Sequence, residues 1–160
     1  MKKIFPVICL VIGLLFFNVS PVSASQPINW EREPNEEWSE ARGNYLIPYS
    51  DDYTLNQGYL HDKDDYDTWF FNATAKEYKI IMHPPKDTFY DVIVYEKDRY
   101  TGEKKIVFNT KDIFDNSKHI ELPGIYDDGV VREYYVIVHS IWPSLLKPNE
   151  PYIIINADVN

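Results

Sequence analysis

Apolar residues in this chain come in short runs rather than on a helical period. Residues 78–82 read YKIIM and residues 91–95 read DVIVY; both are rich in β-branched side chains and both end in turn formers, Pro84-Pro85 and Lys97-Asp98. Runs of the same kind stand at 69–72 (WFFN), 105–108 (KIVF), 119–122 (HIEL), 134–139 (YYVIVH) and 152–157 (YIIINA). Within the first of these, Trp69 and Phe71 alternate with Phe70, so a strand sends one set between two sheets and the other outward. No stretch of about a dozen residues holds a 3.6-residue apolar repeat, and at most one helical turn is expected, near 112–114. Short strands with no helices to cover a parallel sheet predict an all-β antiparallel sandwich. Residues 141–151, with Pro143, Pro148 and Pro151, read as a loop feeding the last strand.

The N-terminus follows a different pattern. Lys2 and Lys3 precede an apolar run over 4–17, and Val22-Ser23-Ala24 supplies the small residues of a cleavage site. That arrangement predicts a secretory signal peptide over 1–24. As a membrane anchor the run falls short of the roughly 20 apolar residues a bilayer requires, and Pro6 interrupts it. Residues 25–29 then read as a flexible lead-in and 30–160 as one domain, large enough to be stable without crosslinks. The only cysteine, Cys9, lies inside the signal run, so the exported chain carries no thiol and no disulfide.

Composition narrows the partners. The formal net charge is −9 and becomes more negative when Lys2 and Lys3 are cleaved away. A surface so acidic argues against nucleic acid and, after signal cleavage, against membranes, because both need a basic footprint. Disorder does not fit a chain with 16% aromatic and 44% hydrophobic residues. The expectation is a folded, secreted, extracellular protein.

Catalytic motifs are sparse. His61, His83, His119 and His139 stand far apart, without a His-Glu-x-x-His pair, and neither a Gly-x-Ser-x-Gly elbow nor a phosphate-binding glycine loop occurs. The chain is therefore expected not to be an enzyme. Most of its acids read as surface solvation, but DKDDYDTWFF over 62–71 crowds Asp62, Asp64, Asp65 and Asp67 against an aromatic strand. It is not an EF-hand loop: counted from Asp62, the position that needs glycine is Asp67 and the position that needs glutamate is Ala73. Upstream, WEREPNEEWSEA offers the oxygens of Glu31, Glu33, Asn35 and Glu36 on a segment stiffened by Pro34. Calcium takes about six to eight oxygens from several segments, and two such groups brought together would suit it.

At these stretches the chain resembles the bacterial pre-peptidase C-terminal domain family, which includes the collagen-binding domains of clostridial collagenases. The likeness rests on Glu33-Pro34-Asn35 followed by Ala41, on Gly58-x-Leu60, and on Asp65-x-Asp67-x-Trp69-x-Phe71. The tyrosine-rich run 134–138 and the closing Pro151-Tyr152-Ile153-Ile154-Ile155 extend it. The resemblance implies a β-sandwich of jelly-roll type. It also implies calcium ligands at Glu31, Glu33, Asn35, Glu36, Asp64 and Asp67, with a backbone carbonyl near Tyr59; Glu36 stands where the family commonly has aspartate. Collagen-binding relatives use alternate aromatic positions of the penultimate strand, which correspond here to Tyr135, Ile137 and His139, one aromatic among them. The implied function is a secreted, non-catalytic, calcium-binding module that attaches to an extracellular polymer, polysaccharide or protein. The alternative is an accessory protein, an inhibitor, chaperone or stabiliser of a separately secreted hydrolase or peptidase.

Overall fold

In the long strands most side chains that alternate inward are large and apolar, and that alternation decides which face of each sheet is buried. The computed structural model describes residues 28–35, 44–49, 55–73, 77–98, 100–111, 117–124 and 132–159. The strands are β1 (Ile28–Trp30), β2 (Pro48–Tyr49), β3 (Leu55–Gly58), β4 (Tyr66–Ala73), β5 (Glu77–His83), β6 (Tyr90–Lys97), β7 (Lys104–Asn109), β8 (Lys118–Pro123), β9 (Arg132–Ser140) and β10 (Tyr152–Val159). A 3₁₀ turn, Pro143–Leu145, interrupts the proline-rich connection before β10. Among the described residues no helix is long and apolar enough to cross a membrane.

The strands form a six-stranded sheet, β1-β3-β10-β5-β8 with β2 beside β10, and a four-stranded sheet, β4-β9-β6-β7. Antiparallel pairs nest about the β6–β7 turn: β6 with β7, β5 with β8, β4 with β9, β3 with β10. The long hairpin so formed rolls up until β10 meets β5 and β9 meets β6. This is a jelly roll, and it bears out the all-β sandwich expected from the strand pattern. Two short parallel pairings, β1 on β3 and β2 on β10, depart from the antiparallel rule. Ile28 and Asn29, expected in a lead-in, belong to β1 because β3 offers them an open edge. The helical turn expected at 112–114 falls outside the described residues.

The core lies between the sheets. Trp69, Phe71 and Ala73 of β4, Tyr134, Val136 and Val138 of β9 and Val92 and Val94 of β6 face Tyr78, Ile80 and Met82 of β5 and Tyr152 and Ile154 of β10. The Phe71 ring packs 5.0 Å from Tyr78 and 5.3 Å from Tyr134. Two buried rings find partners for their polar ends across the sandwich: the Trp69 indole N–H donates to the Tyr152 hydroxyl at 2.8 Å, and the Tyr134 hydroxyl to the Pro123 carbonyl at 2.6 Å.

Buried asparagines hold the N-terminal segments in place. Asn56 of β3 accepts from Asn29 Nδ2 at 2.8 Å and the Ile47 N–H at 3.0 Å, and donates to the carbonyls of Ile47 and Ile154. Asn44 accepts the Arg32 N–H at 2.6 Å, while its own carbonyl takes the Phe70 N–H at 3.1 Å. Residues 31–35 and 44–46 are thereby clamped along the edge of β4 and cover backbone groups that would otherwise lie open.

Candidate metal centre

Three segments converge at one end of the sandwich: the stretch following β1, the β3–β4 loop, and the first inward residue of β4. Asp67 shares the face of Trp69 and Phe71 and therefore points between the sheets, where it is 0% exposed. Among the described residues neither of its carboxylate oxygens has a hydrogen-bond partner. Its neighbours are the Glu31 carboxylate and the Tyr152 hydroxyl, and that hydroxyl donates to Glu31 at 3.2 Å. Burial, and then the charge of Glu31, push the Asp67 carboxyl up to about 10. Burial likewise raises the Glu31 carboxyl, and burial beside Asp67 and Glu31 raises the Tyr152 hydroxyl well above its ordinary value.

Glu31 is held firmly. One of its oxygens accepts the Tyr59 N–H and the other the Tyr152 hydroxyl. Gly58 makes this approach possible: a Cβ there would overlap both Glu31 Oε2 and the Tyr152 hydroxyl. Asn35, fully buried, donates to Glu33 Oε1 at 3.0 Å and accepts the Thr68 N–H at 3.2 Å, so it ties Glu33 to β4.

The aspartates of the loop divide their tasks. Asp62 accepts the Asp64 N–H at 2.8 Å and shapes the turn, as a short polar side chain does in an Asx-turn. Asp64 is exposed and ion-pairs with Lys63 at 3.0 Å. Asp65 is buried and accepts the His61 N–H. A cavity of about 460 Å³ opens here, lined by Glu33, Pro34, His61, Asp62, Asp64 and Asp65.

Two close groups of potential ligands result. Atoms of Glu33, Asp65 and Asp67 lie within 4.8 Å of one another, and so do atoms of Glu31, Glu33 and His61. Oxygens on opposite sides of a calcium ion stand about 4.6–5.2 Å apart, so the first group has the span and the donor type that a hard divalent cation needs.

Of the residues expected to ligate, Glu31, Glu33 and Asp67 come together. Asn35 adjoins them but spends both ends of its amide on Glu33 and β4. Asp64 leans out toward Lys63 and contributes to neither close group; Asp65 occupies the place expected of it. Glu36 lies outside the described residues. Asp65 and His61 were not among the expected ligands. Asp65 could have been found by counting back in twos from Trp69 through Asp67; nothing local marks His61.

The alternation expected along β9 is present: Tyr134, Val136 and Val138 are buried inside, and Tyr135, Ile137 and His139 share the outer face of the four-stranded sheet. Tyr135 is nevertheless only 6% exposed, beneath the Lys97 and Lys104 ammonium groups at 5.6 and 5.8 Å from its ring and with its hydroxyl donating to Glu133. It is not the open platform that alternate placement alone suggests. His139 Nε2 lies 3.7 Å from the buried Asp91 carboxylate, and its ring is 5.5 Å from Tyr66. Burial lowers its affinity for a proton, against the pull of Asp91.

A jelly roll serves many unrelated functions, so the fold by itself assigns none. Nor does comparison with known proteins: no family model matches the chain, and no curated protein matches it.

Proposed function

We propose that the protein is a secreted, non-catalytic binding module in which a calcium ion held by Glu33, Asp65 and Asp67 locks the segment after β1 onto β4. It attaches to an extracellular polymer, polysaccharide or protein, through the outer face of the four-stranded sheet. The observation that carries the cation reading is the Asp67 carboxylate, fully buried among other acids and without a donor among the described residues. Buried acids in proteins are paired or bind metals, and a divalent cation is the partner this cluster lacks. Glu31 and Asn35 support the ion from behind, and Glu36 belongs to the same set by the resemblance. Extracellular modules bind calcium at roughly 10⁻⁴–10⁻³ M, which fits a site this open on one side.

The attachment surface is supported by the grouping of Phe70, Tyr135, Ile137 and His139 with Tyr66, which is 45% exposed. Rings of this kind give contact area at low entropic cost. Export is supported by the signal pattern, and the secreted form should begin at Ser25.

Melting in calcium against melting in chelator tests the cation. At about 100-fold excess over the dissociation constant the gain should be roughly 2.7 kcal/mol, and it should vanish in the double variant Glu33→Ala, Asp67→Ala. Identical curves in the two buffers would overturn the calcium reading. Co-sedimentation with peptidoglycan, chitin, cellulose and collagen tests attachment, with Tyr66→Ala expected to weaken retention. Stoichiometric capture of one secreted enzyme, with no sedimentation on any polymer, would replace attachment by the accessory role.

A further inference from the structure

We infer that the attachment face takes an uncharged polysaccharide, laid across the strands on one register row of side chains: Tyr45, Phe70, Tyr135, Tyr95 and Ile106. The polymer's class and the line it follows rest on the attachment reading above.

Register builds the row. Phe70 of β4 stands opposite Tyr135 of β9, Tyr135 opposite Tyr95 of β6, and Tyr95 opposite Ile106 of β7. Directly paired residues share a face, and Tyr135 lies on the outer one, so all four do. The irregularity between Val94 and Tyr95 in the β6–β7 pairing turns both Val107 and Phe108 against the core and leaves Ile106 outward, 51% exposed. At the other end Tyr45 bridges Phe70 while its neighbour Leu46 turns into the core. Tyr45 is 38% exposed, and its ring meets that of Phe70 edge-on at 5.4 Å. Strands stand about 4.8 Å apart, so the row runs roughly 19 Å across the sheet.

Charge complementarity selects an uncharged occupant. The chain carries a net charge of −9, which repels a polyanion. At the middle of the row the Lys97 and Lys104 ammonium groups stand 5.6 and 5.8 Å from the centre of the Tyr135 ring, and they repel a polycation. The next row on the same face, Asn72, Glu133, Lys97 and Lys104, is likewise paired in register, and Lys97 binds Glu133 at 3.2 Å. Amide, carboxylate and ammonium groups therefore line one edge of the aromatic row. Such a mixture of donors and acceptors suits hydroxyl groups, each of which both donates and accepts.

Between a sugar polymer and a polypeptide, the backbone decides. A polypeptide buried on the face brings amides and carbonyls that must be hydrogen-bonded. The face presents side chains, its own backbone groups being committed to neighbouring strands, and sheets take up extended peptides at their edges instead. A pyranose ring carries no such obligation. Its C–H faces lie flat on rings and aliphatic side chains, and its hydroxyls project at the rim, where the polar row stands. The tyrosines supply that contact at low entropic cost.

The test mixes the exported chain, in calcium, with cellulose, chitin and starch, and in parallel with polygalacturonate, chitosan and collagen. Retention is expected on one or more of the uncharged polymers. It should barely change between low and high salt, because the ligand forms no ion pairs to be screened. Tyr45→Ala and Ile106→Ala, at opposite ends of the row and outside the core, should each weaken retention by roughly 5-fold or more while melting like the wild type. Tyr66→Ala, two register rows away on the same face, should weaken it less. Retention confined to collagen or the charged polymers, or binding indifferent to Tyr45→Ala or to Ile106→Ala, would overturn the row and leave attachment itself standing. No retention on any polymer would remove attachment and the row together.

Discussion

Asp62 accepts the amide of Asp64 and makes the turn, Asp64 leans out to Lys63, Asp65 accepts the amide of His61, and Asp67 accepts from nothing among the described residues. Only the last is destabilising as it stands, because an acid taken out of water without a donor or a cation carries its desolvation penalty uncompensated. Replacing it by the neutral amide of the same shape should therefore separate stability from cation binding. In chelator, Asp67→Asn is expected to melt above the wild type; in calcium it should gain nothing. A variant that melts lower than the wild type in chelator would show that Asp67 has a stabilising partner. His139 presents the opposite case at the far face of the same strand pair. Its folded-state affinity for protons is below the ordinary 6.5, mainly through burial. The unfolded chain therefore takes up the proton first as pH falls, and the stability present above about 6.5 is lost below it. Melting midpoints from pH 7.5 to 5.5 should fall more steeply in the wild type than in His139→Gln, and parallel curves would refute this.

At the scale of elements, burial and sequence pattern agree where strands are long. The β-branched and aromatic runs at 69–72, 78–82, 91–95, 105–108, 119–122, 134–139 and 152–157 all lie within strands, since their alternation is what the two-layer core requires. β1, β2 and β3 were not legible. Their sequences, INW, PY and LNQG, have little intrinsic preference for a strand, and partners distant in sequence hold them there. Asn56 is the clearest of these partners. Removing its side chain strands the amide and carbonyl of Ile47 and the carbonyl of Ile154, so Asn56→Ala should cost at least about 2 kcal/mol in denaturant unfolding. Amide exchange should accelerate at Ile47 before Leu46, whose N–H remains bonded to Phe70. A loss below about 0.5 kcal/mol would place the clamp elsewhere. Of the candidate site, the two acidic clusters are visible in the sequence, and the resemblance singles out Glu31, Glu33 and Asp67 within them; it also singles out Asp64, which stands outside both close groups and pairs with Lys63, whereas Asp65, two residues before Asp67, joins one of them.

Across the whole molecule, the nested pairing places the earliest and latest strands of the roll side by side, with the innermost hairpin opposite them in sequence order. The acidic basin is built at that outermost closure: Glu31 follows β1, Gly58 ends β3, and Tyr152 opens β10. Pairing of such distant segments carries the largest loop-closure penalty, and topologies dominated by it fold slowly. A chain emerging from its N-terminus thus presents the acids long before it can present the tyrosine that steadies them. Until β10 arrives, Glu31 has no Tyr152 hydroxyl to accept from. Under the calcium role proposed above, tight cation binding would belong to the finished roll alone, and the ion would latch only a completed chain.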